Sequence, residues 1–186
     1  MQVFVESRPD TLPVPAAREG QSEAWDALFK CFQLPLYSYV YECLRDEQTS
    51  LDIVQETFIN AVKHIRQLRE DGKFGSWLFG ITHQKIQQHR RKQANDAAKH
   101  ETFYEQPELE NENPLQWLIR REDEKRFMDC VGNLAPPHRS VLLLHFIEGF
   151  KLDEIAEITQ AQVGTVKSRL FYAKKALRNL LKKELK

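Results

Sequence analysis

The residues with the clearest chemical use lie in the stretch Val163 to Leu177, VGTVKSRLFYAKKAL. Val163, Val166, Leu170, Ala173 and Leu177 recur at steps of three and four, the spacing of one buried face of an α-helix. Lys167, Ser168, Phe171, Tyr172, Lys174 and Lys175 fall off that stripe. The ammonium groups of Lys167 and Lys174 can neutralise phosphates, and the Ser168 hydroxyl can donate or accept at a base edge. Phe171 or Tyr172 can pack on a thymine methyl or a sugar. A face that served solubility alone would alternate acids and bases and would not carry two large rings.

Such a face must be held by a partner helix. LDEIAEITQAQVGTVKSRL sets two helices three or four residues apart, with small Ala156 where they approach and Ile155, Ile158, Val166 and Leu170 as the shared core. This is helix-turn-helix spacing, in which the second helix enters the major groove and the first crosses the backbone.

A second basic helix lies upstream. In KFGSWLFGITHQKIQQHRRKQ, Phe74, Trp77, Leu78 and Ile81 fit a packed face, and His83, Lys85, His89, Arg90, Arg91 and Lys92 follow on the same rod. Cations beside aromatic rings suit melted DNA, whose backbone needs charge and whose splayed bases need π-faces or pockets. Further upstream, SLDIVQETFINAV places Leu51, Val54, Phe58 and Ile59 on a buried stripe and leaves Asp52, Gln55 and Glu56 off it.

Other chemistry is excluded on residue grounds. No phosphate-cradling glycine loop, nucleophile elbow, or close carboxylate or histidine constellation is present, so no catalytic residue, cofactor or small-molecule substrate is expected. His83 and His89 are six apart, not the four of a helical metal pair. Cys31, Cys43 and Cys130 are dispersed with no C-x-x-C pair, which argues against a zinc site or disulfide framework.

Charge sums to zero, with 27 bases against 27 acids, but its distribution is uneven. Ile81 to His100 holds five bases and one acid, and Ala161 to Lys186 eight bases and one acid. Between them Glu101, Glu105, Glu108, Glu110 and Glu112 stand with no base. Two basic blocks separated by an acidic tether fit a nucleic-acid binder better than the zero sum does. No apolar run reaches the ~18 residues of a membrane span. MQVFVESRPD lacks a basic region followed by an apolar core, so the cytoplasm is the expected compartment.

The expected fold class is all-α: two small helical domains joined by a flexible acidic linker, the C-terminal one containing the helix-turn-helix. Periodicity predicts helices near 21–33, 35–45, 49–68, 73–93, 115–132, 137–148, 152–160 and 163–183. The predicted organisation is a loose extension over 1–18, a domain over 19–94, a linker over 95–114 and a domain over 115–186. Asp71-Gly72, Pro136-Pro137 and Glu148-Gly149 punctuate the helices.

LAPPHRSVLLLHFIEGFKLDEIAEITQAQVGTVKSRLFYAKKALRNLL resembles the fourth domain of extracytoplasmic-function sigma factors, which reads the −35 promoter element. The resemblance implies that Arg139, Thr165, Lys167, Ser168, Arg169, Phe171, Tyr172 and Lys175 contact that element. DIVQETF is similar to the part of sigma domain 2 that docks on the β′ clamp helices of RNA polymerase, which implies core-binding roles for Asp52, Gln55 and Glu56. The helix from Lys73 resembles the segment of the same domain that recognises and melts the −10 element. By that likeness Lys73, Phe74, Trp77, His83, Gln84, Lys85, Gln88, Arg90 and Arg91 face −10 DNA, and the loop His64 to Lys73 captures an extruded base. Trp77 itself reads better as a core residue than as a stacking platform.

The likeness covers about 20–93 and 115–183, in order. It implies core polymerase (β′ clamp helices and β flap), promoter DNA and an anti-sigma factor, often membrane-anchored, as partners. The chain departs from the family at Lys151, where a Ser or Thr N-cap is usual, and at Gln160, often Gly. It also departs at Gln84, Gln88, Tyr172 and Lys174, where relatives commonly carry Asn, Asp and arginines. The competing reading is a stand-alone helix-turn-helix regulator that binds duplex DNA without polymerase; DIVQETF and the WL-to-RRK helix are surplus to that design. A helical adaptor would lack the basic recognition helix.

Overall fold

The computed structural model describes residues 12–97 and 126–184. The acidic linker from residue 98 onward, the first part of the helix predicted over 115–132, and residues 1–11 lie outside them. Eight α-helices are described: α1 (Val14–Arg18), α2 (Ser22–Leu44), α3 (Glu47–His64), α4 (Phe74–Ala97), α5 (described over residues 126–132), α6 (Pro136–Phe146), α7 (Leu152–Thr159) and α8 (Val163–Glu184). No strand occurs among the described residues.

Two predicted boundaries are corrected. The helices near 21–33 and 35–45 are one helix, α2, which runs through Pro35. An internal proline costs about 3 kcal/mol in lost hydrogen bonding and ring clash. Phe32 and Leu36, both fully buried on either side of it, anchor the rod across that position. The extension over 1–18 is not loose at its end: α1 buries Val14 and Ala17, and the Trp25 indole donates to the Ala17 carbonyl at 3.0 Å.

Helix ends follow local chemistry. Asp46 caps α3 by accepting from the Thr49 N–H at 2.6 Å, and hydrogen bonding from the Thr49 side chain first, then from its N–H, draws the Asp46 carboxyl below the usual range. At Lys151, where the residue type offers no N-cap acceptor, Glu154 accepts from the Lys151 N–H at 2.8 Å, the reverse half of a capping box. Gln160 ends α7 at φ 51°, ψ 42°, the left-handed conformation its place in the turn demands.

The N-terminal bundle packs Leu28, Phe32, Leu36, Tyr39 and Val40 of α2 against Ile53, Val54, Phe58 and Ala61 of α3 and Phe74, Leu78, Phe79 and Ile86 of α4. The C-terminal bundle buries Val141 to Leu144 of α6, Ile155 and Ile158 of α7, and Val166, Leu170, Ala173 and Leu177 of α8. Val163, predicted to join that stripe, is 40% exposed, and its neighbours Gly164 and Thr165 in the first turn of α8 are exposed too.

The two bundles pack on one another. α7 lies on α4, and α6 meets α2. Phe79 and Phe150 meet edge to face across this junction, ring centroids 5.0 Å apart. Gly132 admits the Arg45 side chain: a Cβ there would stand 3.0 Å from the guanidinium.

Candidate nucleic-acid interface

The wet face of α8 is built as its spacing demands. Burying Val166, Leu170 and Ala173 turns Thr165, Lys167, Ser168, Phe171, Tyr172, Lys174 and Lys175 outward, all of them exposed. Phe171 and Tyr172 are 61% and 54% exposed, which leaves a large aromatic surface in water. They meet edge to face at 5.4 Å, and Tyr172 stacks toward His138 at 6.3 Å. Ser168 donates to the Gly164 carbonyl at 3.0 Å, leaving its lone pairs outward. Lys174 sits over the Phe146 ring. Arg169 is half-buried and turns toward α4.

α4 presents a different picture. Gln84, Gln88 and Arg91 line a polar cavity of about 370 Å³ whose opposite wall is Pro137, Ser140, Ile158, Thr159, Gln160 and Arg169. Lys85 is drawn to Glu56 of α3, Nζ to Oε2 2.6 Å. Trp77 is half-buried, its ring 5.9 Å from that of Phe74. No group of three or more metal-ligating side chains exists among the described residues.

Five residues expected to face DNA are occupied elsewhere. Phe74 is fully buried between Trp25, Phe32 and Trp77, because the helix start supplies the core and not the surface. His83 is 8% exposed, and its Nδ1 shares a 2.8 Å hydrogen bond with the Tyr39 hydroxyl. Burial first, then the Arg90 and Arg169 charges, hold its pKa down to about 4, so it is a neutral interior histidine near pH 7. Arg90 donates to the Cys43 carbonyl at 2.7 Å. Lys73 pairs with Glu157 of α7 at 3.4 Å, which raises its pKa. Arg139 donates to the carbonyls of Glu42, Cys43, Gly132 and Leu134.

The loop between α3 and α4 makes two short 3₁₀ turns, Ile65–Gln67 and Asp71–Lys73. Arg18 of α1 braces it, donating to the Leu68 carbonyl at 3.1 Å and to Asp71 at 2.5 Å.

A third surface escaped the sequence. Leu51 and Ile59, expected in a buried stripe, are 49% and 46% exposed. With Phe29, Leu34, Tyr37, Val54, Phe58 and Val62 they line an open groove of about 630 Å³ between α2 and α3. Gln55 lies on its rim; Asp52, which accepts from Gln48 at 3.1 Å, and Glu56 are exposed on the same helix. The signal was present: apolar residues on α3 span too wide an arc for one neighbour to cover, which is how a helix with an outside partner reads.

Comparison with known proteins places both halves of the chain in one family. The Sigma-70 region 2 family matches residues 28–95 and the Sigma-70, region 4 family matches residues 124–177. Over 172 residues the chain is 29% identical to an RNA polymerase sigma-H factor of Pseudomonas aeruginosa, covering 88% of this chain and 89% of that one. It is 27% identical to the ECF RNA polymerase sigma factor SigW of Bacillus subtilis, over 98% and 99% of the two chains. Among solved structures, the sigma factor RpoE in complex with the anti-sigma factor NepR from Bartonella quintana shares the fold at TM-score 0.71 and 21% identity, over 86% of this chain and 98% of that one. CnrH in complex with the cytosolic domain of CnrY does so at 0.66 and 22%, over 91% and 95%. With both regions matched in order, and curated relatives spanning nearly its full length, the chain belongs to the sigma-70 family as an RNA polymerase sigma factor of the extracytoplasmic-function type.

Proposed function

We propose that this sigma factor divides its work among the three surfaces described above. The α2–α3 groove, with Asp52, Gln55 and Glu56 at its edge, seats the β′ clamp helices of core polymerase. Gln84, Lys85, Gln88 and Arg91 of α4, with Trp77 at the margin, face the −10 strand. Thr165, Lys167, Ser168, Phe171, Tyr172 and Lys175 read the −35 duplex, and the C-terminal bundle also meets the β flap; Arg169, half-buried and turned toward α4, is not among them. The observation that carries this reading is the groove: five large apolar side chains, Phe29, Leu34, Leu51, Ile59 and Val62, stand 42–53% exposed beside the charged rim. Stable association uses such a desolvated apolar centre within a polar rim. A stand-alone regulator that bound duplex DNA without polymerase would have no use for it.

The cytoplasm is the compartment this work requires, and no described helix is long and apolar enough to cross a membrane. The same groove is suited to an anti-sigma factor competing with core; the RpoE neighbour is solved in complex with one, NepR. The phosphodiester chemistry belongs to the polymerase, and this chain supplies recognition and positioning.

Transcription reconstituted from core polymerase, the purified chain and a genomic library of promoter fragments tests the reading. Start sites sharing −10 and −35 elements, absent without the chain, are expected. DNA binding with no dependence on core and no transcript would favour the stand-alone regulator.

A further inference from the structure

The cavity between α4 and the C-terminal bundle has a composition that none of the three proposed surfaces explains. Small-molecule sites are mostly apolar, with a few placed polar groups. Here only Pro137 and Ile158 are apolar, and the rest of the lining is polar or charged. Arg91 of α4 and Arg169 of α8 stand on opposite walls, and among the described residues no carboxylate lines the cavity. Neither guanidinium has an ion-pair partner among the described residues.

The sign of the charge there follows. The positive end of α6, at Pro137, and the negative end of α7, at Thr159, both reach the wall, so helix dipoles give no net sign and the guanidiniums decide it. His83, buried in the same wall, feels their field: after burial, the charges of Arg90 and Arg169 hold its imidazole neutral. A group that resists a proton beside two cations marks a place where an anion is welcome. The cavity is open to solvent, and Gln84, Gln88 and Arg91 on its α4 side are all exposed, so a ligand enters with no movement of the bundles.

Size and donor pattern narrow the ligand. About 370 Å³ is far more than a lone phosphate fills and has room for a nucleotide. A guanidinium meets phosphate oxygens two at a time through its planar fork. His83 and Gln87 are already engaged: Nδ1 of His83 meets the Tyr39 hydroxyl at 2.8 Å, and its Nε2 meets Gln87 at 3.3 Å. The amides of Gln84, Gln88 and Gln160 each present a donor beside an acceptor, the pattern that pairs with N6 and N7 of adenine. Pro137 and Ile158 offer apolar surface to the face of a base.

We propose that this cavity is a nucleotide site: Arg91 and Arg169 hold the phosphates of an adenine nucleotide, and the glutamine amides take its base edge. Both bundles build the site, and it takes a free small molecule. This holds whether or not Gln84, Gln88 and Arg91 also face the −10 strand.

The test is calorimetric titration of the free full-length chain with ADP at fixed salt. Arg169→Gln is expected to weaken binding about tenfold or more, the size of a lost charge-assisted contact. Arg178→Gln removes the same charge from an exposed position on α8 outside the cavity and is expected to change it by less than about twofold. Gln88→Glu, at an exposed position where substitution spares folding, puts a carboxylate on the wall and is expected to cost at least as much as Arg169→Gln. In NMR spectra of the histidine rings, ADP is expected to shift His83 and leave exposed His64 in place. No binding of ADP at millimolar concentration overturns the site. Equal losses in Arg169→Gln and Arg178→Gln overturn it as well, reducing it to the general attraction of a basic helix. Wild-type affinity in Gln88→Glu, or an unmoved His83, puts the nucleotide elsewhere and also overturns it. Adenosine binding as tightly as ADP overturns the phosphate seat, and inorganic pyrophosphate doing so overturns the nucleotide. A single strand of about 12 nucleotides that loses affinity in Arg169→Gln, with no binding of ADP, makes the cavity part of the DNA path and overturns the small-molecule site.

Discussion

Glu56 and Lys85, which belong to two different proposed surfaces, are partners in one ion pair between α3 and α4, 2.6 Å apart, with side chains 60% and 16% exposed. The clamp-binding helix and the −10 helix are therefore joined by a charge contact open to solvent on the Glu56 side. Exposed pairs of this kind contribute only about 0.2–1 kcal/mol to stability. Glu56→Ala is expected to move the urea midpoint little and, together with Gln55→Ala, to weaken core binding. Each lost polar contact is worth about 0.5–1.5 kcal/mol. A pull-down titration in which the double variant holds core as the wild type does would remove both residues from the interface.

The groove gives a sharper separation of stability from binding. Leu51→Asp and Ile59→Asp alter exposed side chains, so each is expected to shift folding stability by no more than about 0.5 kcal/mol. Each also removes an apolar contact worth about 1.5–3 kcal/mol once covered, a loss of ten- to a hundredfold in core affinity. Leu28→Ala, in the fully buried core beneath, is expected to cost about 2–5 kcal/mol of stability instead. Equal core affinity for Leu51→Asp and the wild type would place the clamp elsewhere.

How much of this was legible differs by level. Helical spacing located nearly every element, because amphipathic periodicity survives in single sequences. Pro35 misled the reading: local propensity argues for a break, and the packing of Phe32 and Leu36 overrules it. α1 was missed because five residues carry too little periodicity to register. On α8 the exposed set matched expectation apart from Val163, which is exposed, and Arg169, which is half-buried toward α4, since one face is dry and the other is not. On α4 it did not. Phe74, His83 and Arg90 point into the bundle, and Lys73 and Arg139 are engaged across the junction of two domains that the sequence presents only as separate. Periodicity says which residues share a face and is silent on whether another domain covers it. The same silence hid the groove, where an apolar stripe waits for a partner outside the chain.

For α8, Lys167→Ala is expected to weaken binding to a −35 duplex evenly across sequences and to lower the slope of log affinity against log salt by about one. Phe171→Ala is expected instead to change base preference and leave the slope alone, because its 61%-exposed ring carries no charge. Anisotropy titrations over a salt series with a randomised −35 position separate the two. Identical salt slopes for Lys167→Ala and the wild type would take Lys167 off the phosphate backbone.

Arg18 offers a test of positioning. Its contacts to Leu68 and Asp71 hold the loop between α3 and α4 from outside the matched region 2 segment. Arg18→Ala is expected to speed amide exchange over residues 65–73 and to leave α2 and α3 protected. Unaltered exchange in the loop would show that its 3₁₀ turns hold without the brace.

The last prediction concerns acid. His83 is enclosed by Tyr39 of α2, Gln87 and Arg90 of α4 and Arg169 of α8, with its pKa near 4 against an ordinary 6.5. The folded chain therefore keeps it neutral while the unfolded chain protonates it as pH falls below about 6.5. Unfolded protein then binds more protons than folded protein, so stability is full above that pH and declines down to about 4, where both states are protonated. Linkage puts the loss by pH 5 at about 2 kcal/mol. Asp46, whose carboxyl is drawn below its ordinary 3.8, contributes in the same direction but in a lower window, below the range tested here. Urea midpoints at pH 7.5, 6 and 5 are expected to fall for the wild type and to fall less for His83→Gln, which keeps a polar side chain and cannot titrate. Parallel curves for the two proteins would mean that His83 accepts its proton inside the folded chain, between two arginines, at little cost.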